Sequence, residues 1–250
     1  MYRKLLKNEI ISENLADFEL PNNFKVITSA MSNQLLKECI DEIQSDVYRT
    51  KRNEPFYFIT EIKNGINQIK SNRLNKDKYF YNLEYNQDWI PELNTLKNEL
   101  KEKTEKGQKI TKKLLTAIET SEKKISKAKE LWKFYELYTS KMEEQHYVDF
   151  NDMINFVLEK FETESAFLSK IANNYEYILV DEYQDTNKNQ NEIVFNLTES
   201  LDSQNVFVVG DDDQIIFTFQ GAKLDTIEKF LIKFPDTRVI CLTENMRSTQ

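Results

Sequence analysis

Along residues 110–144 the apolar positions Ile110, Leu114, Leu115, Ile118, Ile125, Ala128, Leu131, Trp132, Tyr135, Tyr138 and Met142 recur mostly in steps of three and four. That is the period of an amphipathic helix. At ~1.5 Å per residue such a helix runs roughly 50 Å, so its apolar stripe needs shorter helices to cover it. The stretch "MSNQLLKECIDEIQ" and the patterns near 32–48, 56–71 and 91–104 supply them. Residues 1–145 read as an all-helical unit. Its aromatic stretch "YFYNLEY", residues 79–85, suits core packing better than base stacking.

After residue 145 the pattern changes. Three β-branched apolar runs, "YEYILV" (175–180), "NVFVVG" (205–210) and "TRVICL" (237–242), alternate with helical patterns near 187–200 and 222–234. Strands joined by crossover helices predict an α/β fold with a parallel sheet over residues 146–250. In such sheets ligands bind at the carboxyl ends of the strands. Asp181 and Glu182 follow the first run, and Asp211, Asp212 and Asp213 follow the second.

Charge sharpens this division. The chain carries −8 overall, yet residues 97–133 hold 12 Lys against 6 Glu, a local +6. Such a run is either the solvated face of a helix or a phosphate contact. No apolar run reaches the ~18 residues of a membrane helix, and the N-terminus lacks a signal-peptide pattern. Cys39 and Cys241 form no C-x-x-C pair, so neither a disulfide framework nor a zinc site is expected and a reducing cytoplasm fits. His146 has no partner at metal-ligand spacing and reads as a surface or packing residue.

A carboxylate at a strand tip can hold Mg²⁺, a hard cation that prefers oxygen ligands and keeps several waters when it bridges phosphates. A neighbouring glutamate could polarise a water for in-line attack on a γ-phosphoryl group, and the neutral Gln214 could sense that phosphate. Against this, acidic residues after strands often cap the next helix or occupy turns.

The ordered segments "VDFNDMINF" (148–156), "VDEYQDTNKNQ" (180–190), "VVGDDDQIIFTFQGA" (208–222) and "LTENMRST" (242–249) resemble the motor of the UvrD/Rep family of superfamily 1 DNA helicases. The resemblance implies part of a RecA-like parallel-sheet motor domain over 146–250, with residues 1–145 as a large helical insertion. It implies that Asp181 coordinates Mg²⁺, that Glu182 is the catalytic base, and that Gln184 and Asp185 link the nucleotide to neighbouring motor segments. Gln214 would contact the γ-phosphate and Arg247 would reach it as the next domain closes. Met246 takes the adenine-stacking position, and Phe217, Phe219 and Gln220 face DNA. The implied activity is ATP-driven 3′–5′ movement on single-stranded DNA and unwinding at duplex junctions.

This chain departs from the family at several positions. Ile215 and Phe217 stand where a Ser and a Tyr are usual, Gln220 replaces an Arg, and Met246 replaces a Tyr. Phe217 and Phe219 can still stack on a base, but Gln220 brings no cation. The phosphate-cradling G-x-x-x-x-G-K-[ST] is absent, since the glycines are Gly65, Gly107, Gly210 and Gly221. An internal piece of a longer helicase, inert alone and lacking the P-loop and the second motor domain, is therefore expected. Two other classes stay open. One is a non-hydrolysing nucleic-acid or protein-binding module derived from a motor. The other is a metal-dependent nuclease built on Asp181, Glu182, Asp185 and Asp211–Asp213.

Overall fold

The computed structural model describes residues 5–18, 20, 21, 23–48, 54, 56–86, 89–201, 203–211 and 226–242. It is mostly helical, with two small parallel sheets among the described residues. The chain forms two compact units, Met1–Val157 and Leu158–Gln250.

In the first unit a π-helical stretch, Leu5–Ile11, and a 3₁₀ stretch, Ser12–Phe18, precede strand β1, Lys25–Val26. Helices α1 (Ser29–Ile43), α2 (Ile59–Ser71), α3 (Lys76–Tyr81), α4 (Trp89–Glu105) and α5 (Lys112–Glu144) follow. Strand β2 is Tyr147–Val148, and helix α6, Phe150–Thr163, begins in this unit and ends in the second. The 33-residue α5 is the expected long helix, begun by Thr111, whose side chain accepts from the Leu114 N–H at 3.3 Å.

Helix α5 serves two cores in series. Its first half sets Leu114, Ile118 and Ile125 against Leu93 of α4. Its second half sets Phe134, Tyr138 and Met142 against Leu35, Leu36 and Cys39 of α1 and Ile62 and Ile66 of α2. Phe134 is fully buried although it lies off the stripe read from the sequence, whereas Leu115 is exposed. Covering helices on two sides widen the buried arc at this end of α5. Of the aromatic stretch, Tyr81 is exposed, whereas Tyr79 is half-buried against α5. Its ring lies 5.0 Å from that of Trp132, its hydroxyl donates to Ala128 O at 2.6 Å, and burial pushes it up to about 12. Burial likewise pushes the Cys39 thiol up to about 11, and neither cysteine is in a disulfide.

Short β1 pairs in parallel with β2, Lys25 opposite Tyr147 and Val26 opposite Val148. His146, just before β2, is exposed in the left-handed region (φ 58°), and its carbonyl accepts from Lys25 N–H at 2.8 Å. Directly after β2 the chain enters a buried charge cluster. Lys70, 3% exposed, reaches Asp149 Oδ2 and Asp152 Oδ1, each at 2.7 Å.

The second unit contains α7 (Ser165–Ala172), β3 (Ile178–Val180), α8 (Lys188–Glu199), β4 (Val206–Val208) and α9 (Thr226–Lys233). Strands β3 and β4 are parallel neighbours, with Ile178 opposite Val206 and Val180 opposite Val208. Tyr183, Phe195, Phe230 and Phe234 form an aromatic cluster linking the turn after β3 to α8, α9 and the residue that follows α9.

The third expected strand is not formed. Residues 237–242 carry no strand pairing, and Val239, Ile240 and Leu242 are 64%, 64% and 89% exposed. A β-branched apolar run reports a preference for a covered, pleated surface. It becomes a strand only where an edge with free N–H and C=O groups meets it. Leu179, Phe207 and Val209 also lie exposed on the β3–β4 pair, so both strands show the inward and outward alternation of a half-covered sheet.

Candidate functional site

The chain leaves β3 along a path fixed by backbone bonds to the neighbouring strand. Val209 N–H donates to Val180 O at 2.8 Å, and Tyr183 N–H returns to Val209 O at 2.9 Å. Between these anchors stand Asp181 and Glu182, both exposed. Glu182 takes up the reversal with φ 51°, ψ 47°, a left-handed conformation that costs a non-glycine residue about 1–2 kcal/mol. The surrounding structure holds it there. The 3₁₀ turn Tyr183–Asp185 follows, with Tyr183 and Gln184 buried at 0% and 2% exposure.

Helix-capping does not consume the acids. The N-cap of α8 is Asn187, whose side chain accepts from the Gln190 N–H at 3.0 Å while the Gln190 side chain accepts from the Asn187 N–H at 2.8 Å. This capping box closes the helix without help from Asp181, Glu182 or Asp185. Asp181 Oδ1 accepts from the Glu182 N–H at 3.0 Å, leaving Oδ2 without a protein partner among the described residues. Asp185 is exposed, its N–H bonded to Glu182 O at 3.0 Å.

Gln184 joins the two strand ends. Its Nε2 donates to Glu182 Oε2 at 2.7 Å, and its Oε1 accepts from the Asp211 N–H at 3.1 Å. Asp181, Glu182, Gln184 and Asp211 thus share the carboxyl end of one strand pair. Gln214, Phe217, Phe219, Gln220, Met246 and Arg247, with Asp212 and Asp213, lie outside the described residues. Two residues of the site were given no role in it from the sequence, Tyr183, the buried anchor of the turn, and Gly210, expected only as the last residue of the second strand and found two residues past the end of β4. The only available signal was the position of a glycine directly after a β-branched run.

The donor set suits a hard cation. Oxygen ligands alone are offered, and the open Oδ2 of Asp181 suits Mg²⁺ held mostly by waters and phosphates. Among the described residues no three His, Cys, Asp or Glu side chains gather into a metal cluster; Asp212 and Asp213, two of the acids of the nuclease reading, lie outside those residues. No described helix is long and apolar enough to cross a membrane.

Residues 3–235 match the family described as UvrD/REP helicase N-terminal domain. The chain belongs to the UvrD/Rep helicase family. It is 36% identical over 137 residues to a probable DNA helicase II homolog of Mycoplasma capricolum, a match covering 55% of this chain and 18% of the relative. It is 38% identical over 116 residues to the ATP-dependent DNA helicase PcrA of Bacillus subtilis, covering 46% of this chain and 15% of that protein. Against DNA helicase II of Haemophilus influenzae it is 38% identical over 117 residues, covering 47% and 16%. The matched stretch therefore spans less than a fifth of each relative.

Proposed function

We propose that this chain is the ATP-hydrolysing side of the first, RecA-like motor domain of a cytoplasmic 3′–5′ DNA helicase, with the helical residues 1–145 as an insertion in that domain. The observation that carries this reading is the pair of exposed acids at the β3 end, freed from capping by the Asn187–Gln190 box and set beside the β4 end. Glu182 orients the water that attacks the γ-phosphoryl group and takes its proton as the bond to the ADP oxygen breaks, and Asp181 would hold Mg²⁺, which when bound would supply neutralising charge to the phosphates. Gln214 and Arg247 read the γ-phosphate, Gln184 and Asp185 connect the nucleotide to neighbouring segments, and Met246 packs on the adenine. Phe217, Phe219 and Gln220 meet single-stranded DNA. The P-loop and the second motor domain come from segments outside this sequence.

The names of the relatives support ATP and DNA as ligands, and the motif order supports the residue roles. The test uses the full-length protein. Glu182→Gln keeps the size of the side chain and leaves Asp181 in place, so ATP binding persists while DNA-stimulated hydrolysis falls by about 10², the scale for losing a general base. Near-normal hydrolysis in that variant removes Glu182 from the mechanism. DNA binding without any ATPase in the unsubstituted protein supports the binding-module reading instead, and metal-dependent cleavage without ATP supports the nuclease.

A further inference from the structure

Glutamine is ordinarily a surface residue, yet Gln184 is 2% exposed with both ends of its amide engaged. A carboxylate accepts and a backbone N–H donates, so Nε2 toward Glu182 and Oε1 toward Asp211 is the one orientation that satisfies both partners. The amide is also sterically seated. A Cβ at Gly210 would come within 2.8 Å of Gln184 Oε1 and 3.4 Å of Gln184 N. Gly210 therefore provides the space in which the amide lies, directly before the Asp211 N–H that it accepts from.

Glu182 differs in every respect from its neighbour. Its side chain is exposed and its backbone is held in the left-handed region. An exposed glutamate samples many rotamers, and ordering such a side chain costs conformational entropy. The hydrogen bond from a buried, two-ended amide selects one of them. We propose that Gln184, seated against Gly210, is a positioning residue that aims the Glu182 carboxylate and ties its direction to the end of β4. A shift of the backbone at Asp211 moves the amide, and the amide moves the carboxylate. The catalytic consequence rests on the reading of Glu182 as the general base, whereas the contact itself does not.

Two variants separate the possibilities in the full-length protein. Gln184→Met keeps length and burial but removes both hydrogen bonds, and Gly210→Ala places a methyl group where the amide lies. Each is expected to lower DNA-stimulated kcat about tenfold, the scale of a lost charge-assisted hydrogen bond or a misaimed group, with ATP affinity within about twofold of normal. In a Glu182→Gln background, Gln184→Met is expected to add less than about a twofold loss, because no base is left to misaim. An equal loss in both backgrounds makes Gln184 merely structural and overturns the proposal. So does normal kcat in Gln184→Met when Glu182→Gln is inactive. Near-normal hydrolysis in Glu182→Gln alone instead overturns the base assignment.

A second readout needs no activity. In the 250-residue chain, NMR should find the Gln184 side-chain amide protons exchanging slowly with solvent, and Gly210→Ala should bring them to the rate of surface glutamines. Exchange at the surface rate in the unsubstituted chain overturns the positioning contact even if a variant of the full-length protein fails to fold.

Discussion

Lys70 Nζ lies 2.7 Å from Oδ2 of Asp149, the residue after β2, with the lysine almost wholly buried. The same ammonium reaches Asp152, and the lysine carbonyl accepts from Asn155 Nδ2 at 3.0 Å. The end of α2 is thereby pinned to the start of α6. Burial by itself pushes Lys70 down, but the charges of Asp149 and Asp152 more than offset it, so the ammonium titrates above its ordinary range. Burial pushes Asp152 up against the pull of Lys70.

Lys70→Met should destabilise the chain by about 3–5 kcal/mol, because it strands two partly buried carboxylates. In the unsubstituted chain the Lys70 contribution is fully present below the ordinary lysine value of 10.5 and is lost as pH climbs above it toward the raised folded value. In the variant, without the lysine, the Asp149 N–H, which donates to Asp152 Oδ2 at 2.9 Å, is left to oppose the effect of burial on Asp152. Its folded form then holds the proton more tightly than the unfolded chain, and the deficit should narrow as pH falls into the carboxylate range. Urea unfolding at pH 4, 7 and 11 measures all three effects, and a variant as stable as the original at pH 7 refutes the clamp.

Gln44 ends α1 in the left-handed region, φ 48°, ψ 46°, exposed and with its N–H donating to Ile40 O. Glycine adopts that conformation without a Cβ clash. Gln44→Gly should raise stability by about 0.5–1 kcal/mol, equivalent to a rise of about 2 °C in melting temperature for a domain of this size. Calorimetry of the two chains checks it, and a lower melting temperature contradicts it.

The lysine-rich region is partly spent on protein contacts. Lys97 pairs with Glu122, Lys103 with Glu99, and Lys127 with Glu61, while Lys124 Nζ stands 3.9 Å from the Trp89 ring centre. Lys112, Lys113 and Lys123 are exposed and have no ion pair among the described residues. If these three meet phosphates, reversing them to Glu should weaken duplex or forked DNA binding and flatten its salt dependence by roughly one slope unit per lost contact. Anisotropy titrations from 50 to 200 mM salt decide it. Unchanged binding returns the helix to a solvated face.

Without G-x-x-x-x-G-K-[ST] the 250-residue chain lacks the N–H cradle and lysine that hold the β- and γ-phosphates. Asp181 and Glu182 alone should give nucleotide affinity on the order of millimolar or weaker, and no turnover. Calorimetric titration and a steady-state ATPase assay on the chain test this, and robust hydrolysis refutes it.

Local patterns were enough for the long helix, the helices against it, and the neighbouring strands that end at the acids. Periodicity records which face a segment buries, and α5 occupies Lys112–Glu144 close to where its stripe placed it. The sequence also contained the capping pair Asn187 and Gln190, the feature that separates acids free for chemistry from acids used as caps. Other outcomes needed contacts between distant residues. Phe134 is buried because helices flank α5 on two sides. Residues 237–242 remain unpaired because a strand depends on an available edge as well as on its own composition. Lys70 meets acids 79 and 82 positions away, a relation that no local pattern encodes. Gln184 and Gly210 were both visible as letters. That one needs the space left by the other follows only when parallel pairing sets β4 beside the turn after β3, because steric fit belongs to atoms brought together by the fold.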